Sequence, residues 1–191
     1  MRPSMKAFAT AFVAILLSTA VESDFASAAS VHFKQNRTPT FTDGGLLLSA
    51  QGALTGLGNG DVVIFLTAQA DVVATCTNPS GSNQPPGHNP APITVAGSQA
   101  IPQDEIKNGN LSFNVSTQPP ASNIAGAPDC PNPKWTETIQ DLKFTSAILR
   151  VEQPAGTVVL SVTCTFSTPT SNGTVPSQNV TCQPAGRVAV R

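Results

Sequence analysis

Hydrophobic and polar side chains alternate most regularly at residues 157–166. The apolar positions of this alternation are Val158, Leu160, Val162, Cys164 and Phe166. A period of two is typical of a β-strand with one buried face. Turn-forming residues occupy 168–178 around Gly173, and the alternation then resumes up to Cys182. The pattern therefore predicts a β-hairpin that places Cys164 and Cys182 opposite each other on its apolar side.

The same kind of alternation predicts most of the other strands. They are an edge strand at 31–41, strands at 46–54, 62–76, 111–115 and 139–151, a short strand at 93–96 and an edge strand at 187–191. The strand at 62–76 is predicted to be central, because one face is apolar throughout and the other starts apolar. The strand at 139–151 switches its apolar face between Phe144 and Ala147. A β-bulge near Ser146 explains this switch, since one extra residue reverses the facing of those that follow.

Three long loops rich in Pro, Gly and Asn separate these strands. They are residues 77–92, 118–134 and 168–178. Successive connections between antiparallel strands lie at opposite ends, and counting the strands places all three loops at one end. Shorter connections are a helical turn at 102–107 and a type I turn at 153–156. We therefore predict an all-β fold, an immunoglobulin-like β-sandwich of seven to eight antiparallel strands.

Residues 1–29 have the pattern of a secretory signal peptide. Arg2 and Lys6 precede an apolar run at 7–17, and small residues follow, with cleavage expected after Ala28 or Ala29. The run is shorter than the roughly 20 apolar residues of a membrane span. We expect one β-sandwich domain at 30–191, without a transmembrane segment in the mature chain. Its predicted location is extracellular, on the cell surface or in the periplasm.

All four cysteines of the chain follow residue 30. An even number of cysteines in an exported protein is typical of disulfides, and four cysteines allow three pairings. The predicted hairpin selects Cys164 with Cys182, which leaves Cys76 with Cys130. Zinc binding is the alternative, but the sequence has no C-x-x-C or H-x-x-x-H spacing. We expect a domain stapled by two disulfides, with no metal site.

Charge and histidine content argue against several classes of function. The net charge is -1 and charged residues make up 11%, unlike the basic footprint of a nucleic-acid-binding protein. His32 and His88 are the two histidines, and neither lies in a pattern typical of a catalytic triad. We predict that the protein is not an enzyme and uses no cofactor. One alternative stays open, because cleavage after Ala29 would leave Ser30-Val31-His32, whose nitrogens can surround Cu(II).

The best candidates for a binding surface are Lys134 and Trp135, which follow Cys130, together with His88 in the preceding long loop. A Trp exposed on a disulfide-anchored loop can stack on a sugar or on an apolar side chain of a partner. The alternative is that Trp135, at the start of a strand, is a core residue. The chain has no Tyr, whereas carbohydrate-binding modules usually present several aromatic side chains.

Three loop segments have motifs that are distinctive in combination. They are Cys76-Thr77-Asn78-Pro79-Ser80-Gly81, Pro86-Gly87-His88-Asn89-Pro90 and Cys130-Pro131-Asn132-Pro133-Lys134-Trp135. In these motifs the chain resembles a group of uncharacterised, exported, single-domain β proteins of bacteria, over a stretch from about Gly52 to Phe166. The resemblance implies a secreted β domain, and it transfers no functional residue because the group has no assigned activity.

The sequence favours a secreted, non-enzymatic module that acts in surface-associated adhesion or interaction, or as a structural protein. Its expected partner is an unknown extracellular protein or glycan. The alternative is a module that binds a small ligand or a glycan through the loops 77–92, 118–134 and 168–178. An enzyme ranks third.

Overall fold

The computed structural model describes residues 31–184, which form an all-β sandwich of two antiparallel sheets. The strands are β1 (His32–Phe33), β2 (Thr40–Asp43), β3 (Leu48–Thr55), β4 (Val62–Thr77), β5 (Asn83–Gln84), β6 (Ile93–Ile101), β7 (Leu111–Ser116), β8 (Asn123–Ile124), β9 (Thr136–Glu152), β10 (Val158–Phe166), β11 (Gly173–Thr174) and β12 (Val180–Pro184). Three 3-10 turns lie at Lys34–Asn36, Gln103–Glu105 and Ser177–Asn179. Within residues 31–184, eight strands have four or more residues, so the predicted all-β sandwich of antiparallel strands is confirmed.

Each sheet is organised around long central strands. In the five-stranded sheet β3 pairs with β7 on one edge and with β1 and β2 on the other, and β11 pairs with β2. In the seven-stranded sheet β4 pairs with β9 along its length, so β4 is the predicted central strand. The outer neighbours are β6 beside β4, and β10 followed by β12 beside β9. Within residues 31–184, no helix is long and apolar enough to span a membrane.

The hydrophobic core fills the space between the inner faces of the sheets. The even-numbered residues of β4 from Val62 to Cys76 are buried, as their alternation predicts. Leu48 and Leu54 of the opposite sheet are fully buried as well. The ring of Phe41 meets that of Phe166 edge to face, with centroids 5.2 Å apart, which connects the two sheets.

Strand β9 contains two register shifts against β4. The first lies where Gln69 pairs with Ser146 and Ala70 with Phe144, which confirms the predicted bulge. The second, between Val73 and Ala74, was not predicted. It turns Glu137 and Ile139 to the inner face, because an extra residue reverses the facing of the strand.

One side of the sandwich is closed by close contact between β6 and β7. Strand β6 continues to Ile101, well beyond the predicted 93–96, because it pairs with β4 over its whole length. The amide of Gln118 donates to the carbonyl of Ala96 at 2.9 Å. A Cβ atom at Gly97 would lie 2.0 Å from the carbonyl oxygen of Ser116, so only glycine fits here.

The predicted pairing of β10 with β12 is confirmed, but the connection between them is not a hairpin turn. Cys164 lies opposite Cys182, and the two form a disulfide. The connecting segment crosses to the other sheet, where β11 pairs with Thr42 and Asp43 of β2. A bulge follows Val158, which is 51% exposed instead of buried as predicted.

Three further local predictions have different outcomes. The prediction of one edge strand at 31–41 was wrong, since this segment forms β1, a 3-10 turn and β2. The turn at 102–107 is confirmed as the 3-10 turn Gln103–Glu105. The type I turn at 153–156 was wrong, because the Gln153–Pro154 peptide is cis and the turn hydrogen bond joins Thr157 to Pro154. The predicted signal peptide at 1–29 and the strand at 187–191 lie outside the described residues.

Candidate functional site

The predicted loops 77–92 and 118–134 lie together at one end of the domain. A disulfide joins Cys76, at the end of β4, to Cys130 in the second loop. The amide of Gly87 donates to the carbonyl of Asp129 at 2.9 Å, which ties the first loop to the second. We call residues 77–92 and 118–135 the tip.

The third predicted loop does not belong to the tip. Thr170 in loop 168–178 bonds to the backbone of Phe144, and its hydroxyl donates to the carboxylate of Asp43. Phe144 pairs with Ala70, and β4 continues for seven more residues to Thr77, roughly 23 Å at about 3.3 Å per residue. Loop 168–178 therefore lies at the end of the domain that carries the tip, as predicted, but it lies below the two loops of the tip.

A buried carboxyl group supports the tip from beneath. Glu137 is 0% exposed and lies opposite Cys76 in the β4–β9 ladder. Its Oε2 accepts a hydrogen bond from the amide of Asp129 at 3.3 Å, and its Oε1 has no hydrogen-bond partner among residues 31–184. Because Asp129 precedes Cys130, the disulfide and this hydrogen bond hold the same short stretch of the loop.

The structure places all three predicted binding residues on the tip. Lys134 is exposed, and Trp135 is half-buried and lies outside the core cluster, so the core alternative for Trp135 is wrong. The side chain of Asn132 accepts a hydrogen bond from the Lys134 amide, and its carbonyl accepts one from Trp135, both at 2.9 Å. This tight turn fixes the backbone that carries both side chains. His88 is exposed in the other loop, next to Gly87.

The histidines do not come together. His32 pairs with Thr55 in the five-stranded sheet, whereas His88 lies in the tip. Within the described part of the chain, no group of three or more His, Cys, Asp or Glu side chains is placed to hold a metal ion. The copper alternative involves Ser30, which is outside the described residues.

A second candidate surface, which the sequence did not predict, lies on the five-stranded sheet. Two adjoining depressions of about 380 and 250 Å³ share Lys34 and Ala53. Lys107 and Glu105 border the larger one, and Arg37 borders the smaller one. We call this pair of depressions the basic groove.

The basic groove was missed because its cations come from separate segments. Lys34 and Arg37 lie between β1 and β2, whereas Lys107 lies before β7. The pairing of β3 with β1 and β2 on one edge and with β7 on the other brings these segments to one face. One sequence feature could have indicated this surface, namely the polar residues at alternate positions of β3 and β7, such as Gln51 and Ser112.

The comparisons with known proteins give no relative for this chain. No protein-family model matches it, and neither a curated protein nor a solved structure matches it. The resemblance to exported bacterial β proteins therefore stays a prediction.

Proposed function

We propose that the protein is a secreted, non-enzymatic, immunoglobulin-like β-sandwich module that binds an extracellular protein or glycan through its tip, in surface-associated adhesion or interaction. The observation that carries this proposal is the position of Trp135 on a loop fixed by a disulfide. Loops on a rigid scaffold are common binding sites, because the scaffold holds their side chains in place. This geometry supports an interaction module over a purely structural protein.

Trp135 is suited to anchor a partner. A large aromatic side chain contributes much contact area and has few rotatable bonds, so that ordering it costs little entropy. The turn around Asn132 and the disulfide at Cys130 restrict its backbone before a partner arrives. Lys134 and His88 add polar groups at the same end of the domain.

Two further observations support the cellular setting and the non-enzymatic role. Two disulfides in a small β domain are typical of an oxidising, extracellular environment, and secretion is part of the proposal. The separation of His32 from His88 argues against a shared acid-base site. An activity screen of the mature protein against glycans, peptides and esters tests this part, and turnover of any substrate would refute it.

The alternative function is binding of a small ligand or a glycan by the same loops. The partial exposure of Trp135 favours it, since sugars stack on aromatic rings. Because loop 168–178 lies lower on the domain, this alternative involves the loops 77–92 and 118–134. A glycan array separates it from protein binding.

The test of the proposed function is a binding isotherm of the mature protein on the surface fraction of the producing cells. We expect Trp135→Ala to weaken binding by about 30-fold or more, the cost of losing a residue that dominates an interface. Ile148→Ala is the matched control, because Ile148 is a large apolar residue, 44% exposed, on the face of the seven-stranded sheet. Binding by Trp135→Ala equal to that of the wild type would rule the tip out.

A further inference from the structure

We infer that the basic groove binds an acidic polysaccharide whose carboxylates repeat along its chain, as in a polyuronate. This surface is separate from the tip, since it lies on the five-stranded sheet and shares no residue with the loops 77–92 and 118–135. The inference therefore does not depend on the function proposed for the tip.

The charge distribution of the domain is uneven, and the basic groove takes a large part of its positive charge. Residues 31–184 contain six Lys and Arg side chains, and three of them border the groove, namely Lys34, Arg37 and Lys107. Glu105 is the one acidic residue that borders it, and it lines the larger depression together with Lys34 and Lys107. The protein as a whole has a net charge of -1, so this face is locally basic on a slightly acidic molecule.

Within residues 31–184, neither Lys34 nor Arg37 forms an ion pair. By contrast, Arg150 on the other sheet forms an ion pair with Glu152. No carboxylate of the described chain lies within 4.0 Å of the charged atoms of Lys34 or Arg37. Lys107 donates to the backbone carbonyl of Asp104 at 2.6 Å. We therefore place the strongest anion site in the smaller depression, between Lys34 and Arg37, because no acidic side chain lines that depression.

The polar lining of the groove matches a sugar chain. Side-chain hydroxyl and amide groups of Thr38, Thr40, Gln51 and Ser112 surround the cations and can exchange hydrogen bonds with sugar hydroxyls. The guanidinium of Arg37 can bind a carboxylate with two parallel hydrogen bonds. The larger depression, about 380 Å³, lies at the low end of the roughly 300–1,000 Å³ of small-ligand sites, so one or two sugar units are the expected footprint.

Other polyanions fit this face less well. Nucleic acid requires neutralisation of many phosphates, and a domain with this net charge and three clustered cations offers few such contacts. An acidic peptide has carboxylates but lacks the hydroxyl groups that the lining of Thr38, Thr40 and Ser112 can bind. Both classes become comparison ligands in the test.

The experiment measures binding of an oligogalacturonate to the mature protein by calorimetry at low salt. We expect saturable binding that weakens as NaCl rises, since the screening length falls from about 10 Å at 0.1 M to about 3 Å at 1 M. The fully methyl-esterified oligosaccharide should not bind, because it keeps the sugar backbone and loses the charge. A poly-glutamate peptide and a single-stranded oligonucleotide of similar charge should bind about tenfold more weakly, because they lose hydrogen bonds between the uronate hydroxyl groups and the lining of the groove.

Two variants with the same change in net charge locate the site. Lys34→Gln/Arg37→Gln should weaken oligogalacturonate binding by roughly tenfold or more, because two charge-assisted hydrogen bonds are lost. Lys143→Glu is the matched control, because it makes the same change in net charge on β9, outside both candidate surfaces, and it should bind as the wild type does. Lys34, Arg37 and Lys143 are exposed, so both variants should keep the wild-type melting temperature.

Three outcomes would overturn the inference. They are no binding of oligogalacturonate at low salt, equal binding of the methyl ester or of poly-glutamate, and an equal loss in both charge variants. Trp135→Ala should leave this binding unchanged. The proposals for the groove and for the tip can therefore be refuted separately, since each is tested with its own variant and its own ligand.

Discussion

At the scale of single residues, two positions show how the β-sandwich depends on side-chain size and polarity. Gly97 allows β6 to approach the backbone of Ser116, and no other residue fits that space. Glu137 places a carboxyl group beneath the tip with one hydrogen bond to Asp129. Neither role can be read from the sequence, because each depends on a strand that is distant along the chain.

Gly97→Ala should destabilise the protein severely. The new Cβ atom would lie 2.0 Å from the carbonyl oxygen of Ser116, so the backbone must move, at a cost of about 3 kcal/mol or more. Gly58→Ala is the control, since its Cβ atom would have its nearest neighbour at 3.9 Å. Thermal melts of both variants check the prediction. Equal melting temperatures would show that β6 does not approach β7 in this way.

At the scale of strands and turns, the sequence predicts those elements that have a regular alternation of apolar and polar residues. It does not predict the elements that become strands because they pair with a neighbouring strand. The alternation of β4 gives its buried face correctly, because one face of that strand is apolar from end to end. The second half of β6, with Gly97 and Gln99, has no such pattern, and its pairing with β4 makes it a strand. Strand β11 is two residues long and exists only because β2 offers it a free edge.

The turn between β3 and β4 is held by the side chain of Gln153, the residue that follows β9. The buried amide of Gln153 accepts a hydrogen bond from the Gly58 amide and donates to the carbonyls of Gly58 and Gly60, at 2.8 to 2.9 Å. The sequence gives no indication that the side chain of Gln153 reaches the turn between β3 and β4.

Gln153→Ala should lower the free energy of unfolding by about 1–3 kcal/mol, because it leaves partly buried backbone groups without partners. Gln183→Ala is the matched control, since Gln183, like Gln153, is followed by Pro-Ala-Gly in the sequence, but it is exposed on β12. Denaturant unfolding measures both variants. A similar loss in the two would mean that the contacts with Gly58 and Gly60 contribute nothing.

At the scale of the whole molecule, the two disulfides act on regions of different local stability. Cys164–Cys182 joins strands that already pair at five positions. Cys76–Cys130 joins β4 to the Pro-rich loop 118–134, which is also attached by the two-residue pairing of β8 with β9 and by single hydrogen bonds such as the one from Gly87 to Asp129. In the loop-entropy model the shorter loop contributes about 3 kcal/mol, and the longer one at most about 1 kcal/mol more.

Removal of the two disulfides should therefore differ in where the chain opens rather than in overall stability. We expect Cys76→Ser/Cys130→Ser to expose residues 77–92 and 118–135 to limited proteolysis. Cys164→Ser/Cys182→Ser should leave the tip protected at the same protease concentration. Mapping of the cleavage sites by mass spectrometry decides between them. Cleavage of the tip to the same extent in both variants would contradict the prediction.

The two candidate surfaces differ in how far the sequence predicts them. The tip is predictable because loop composition, the cysteines and Trp135 mark it within short segments, whereas its attachment to Glu137 is not. The basic groove is not predictable, since Lys34 and Lys107 are separated by 73 positions and meet only through the register of β3 with its two neighbours.

The length of β4 and β9 has a mechanical consequence for the tip. Both strands run from the tip into the body of the seven-stranded sheet, so a pulling force on the tip enters them together. The body resists through β6, which pairs with β4 at nine positions, and through β10, which pairs with β9. Ladder hydrogen bonds between antiparallel strands lie perpendicular to the strands. A load along the strands therefore shears many ladder hydrogen bonds at once. The tip can bear tension because these bonds do not break one after another.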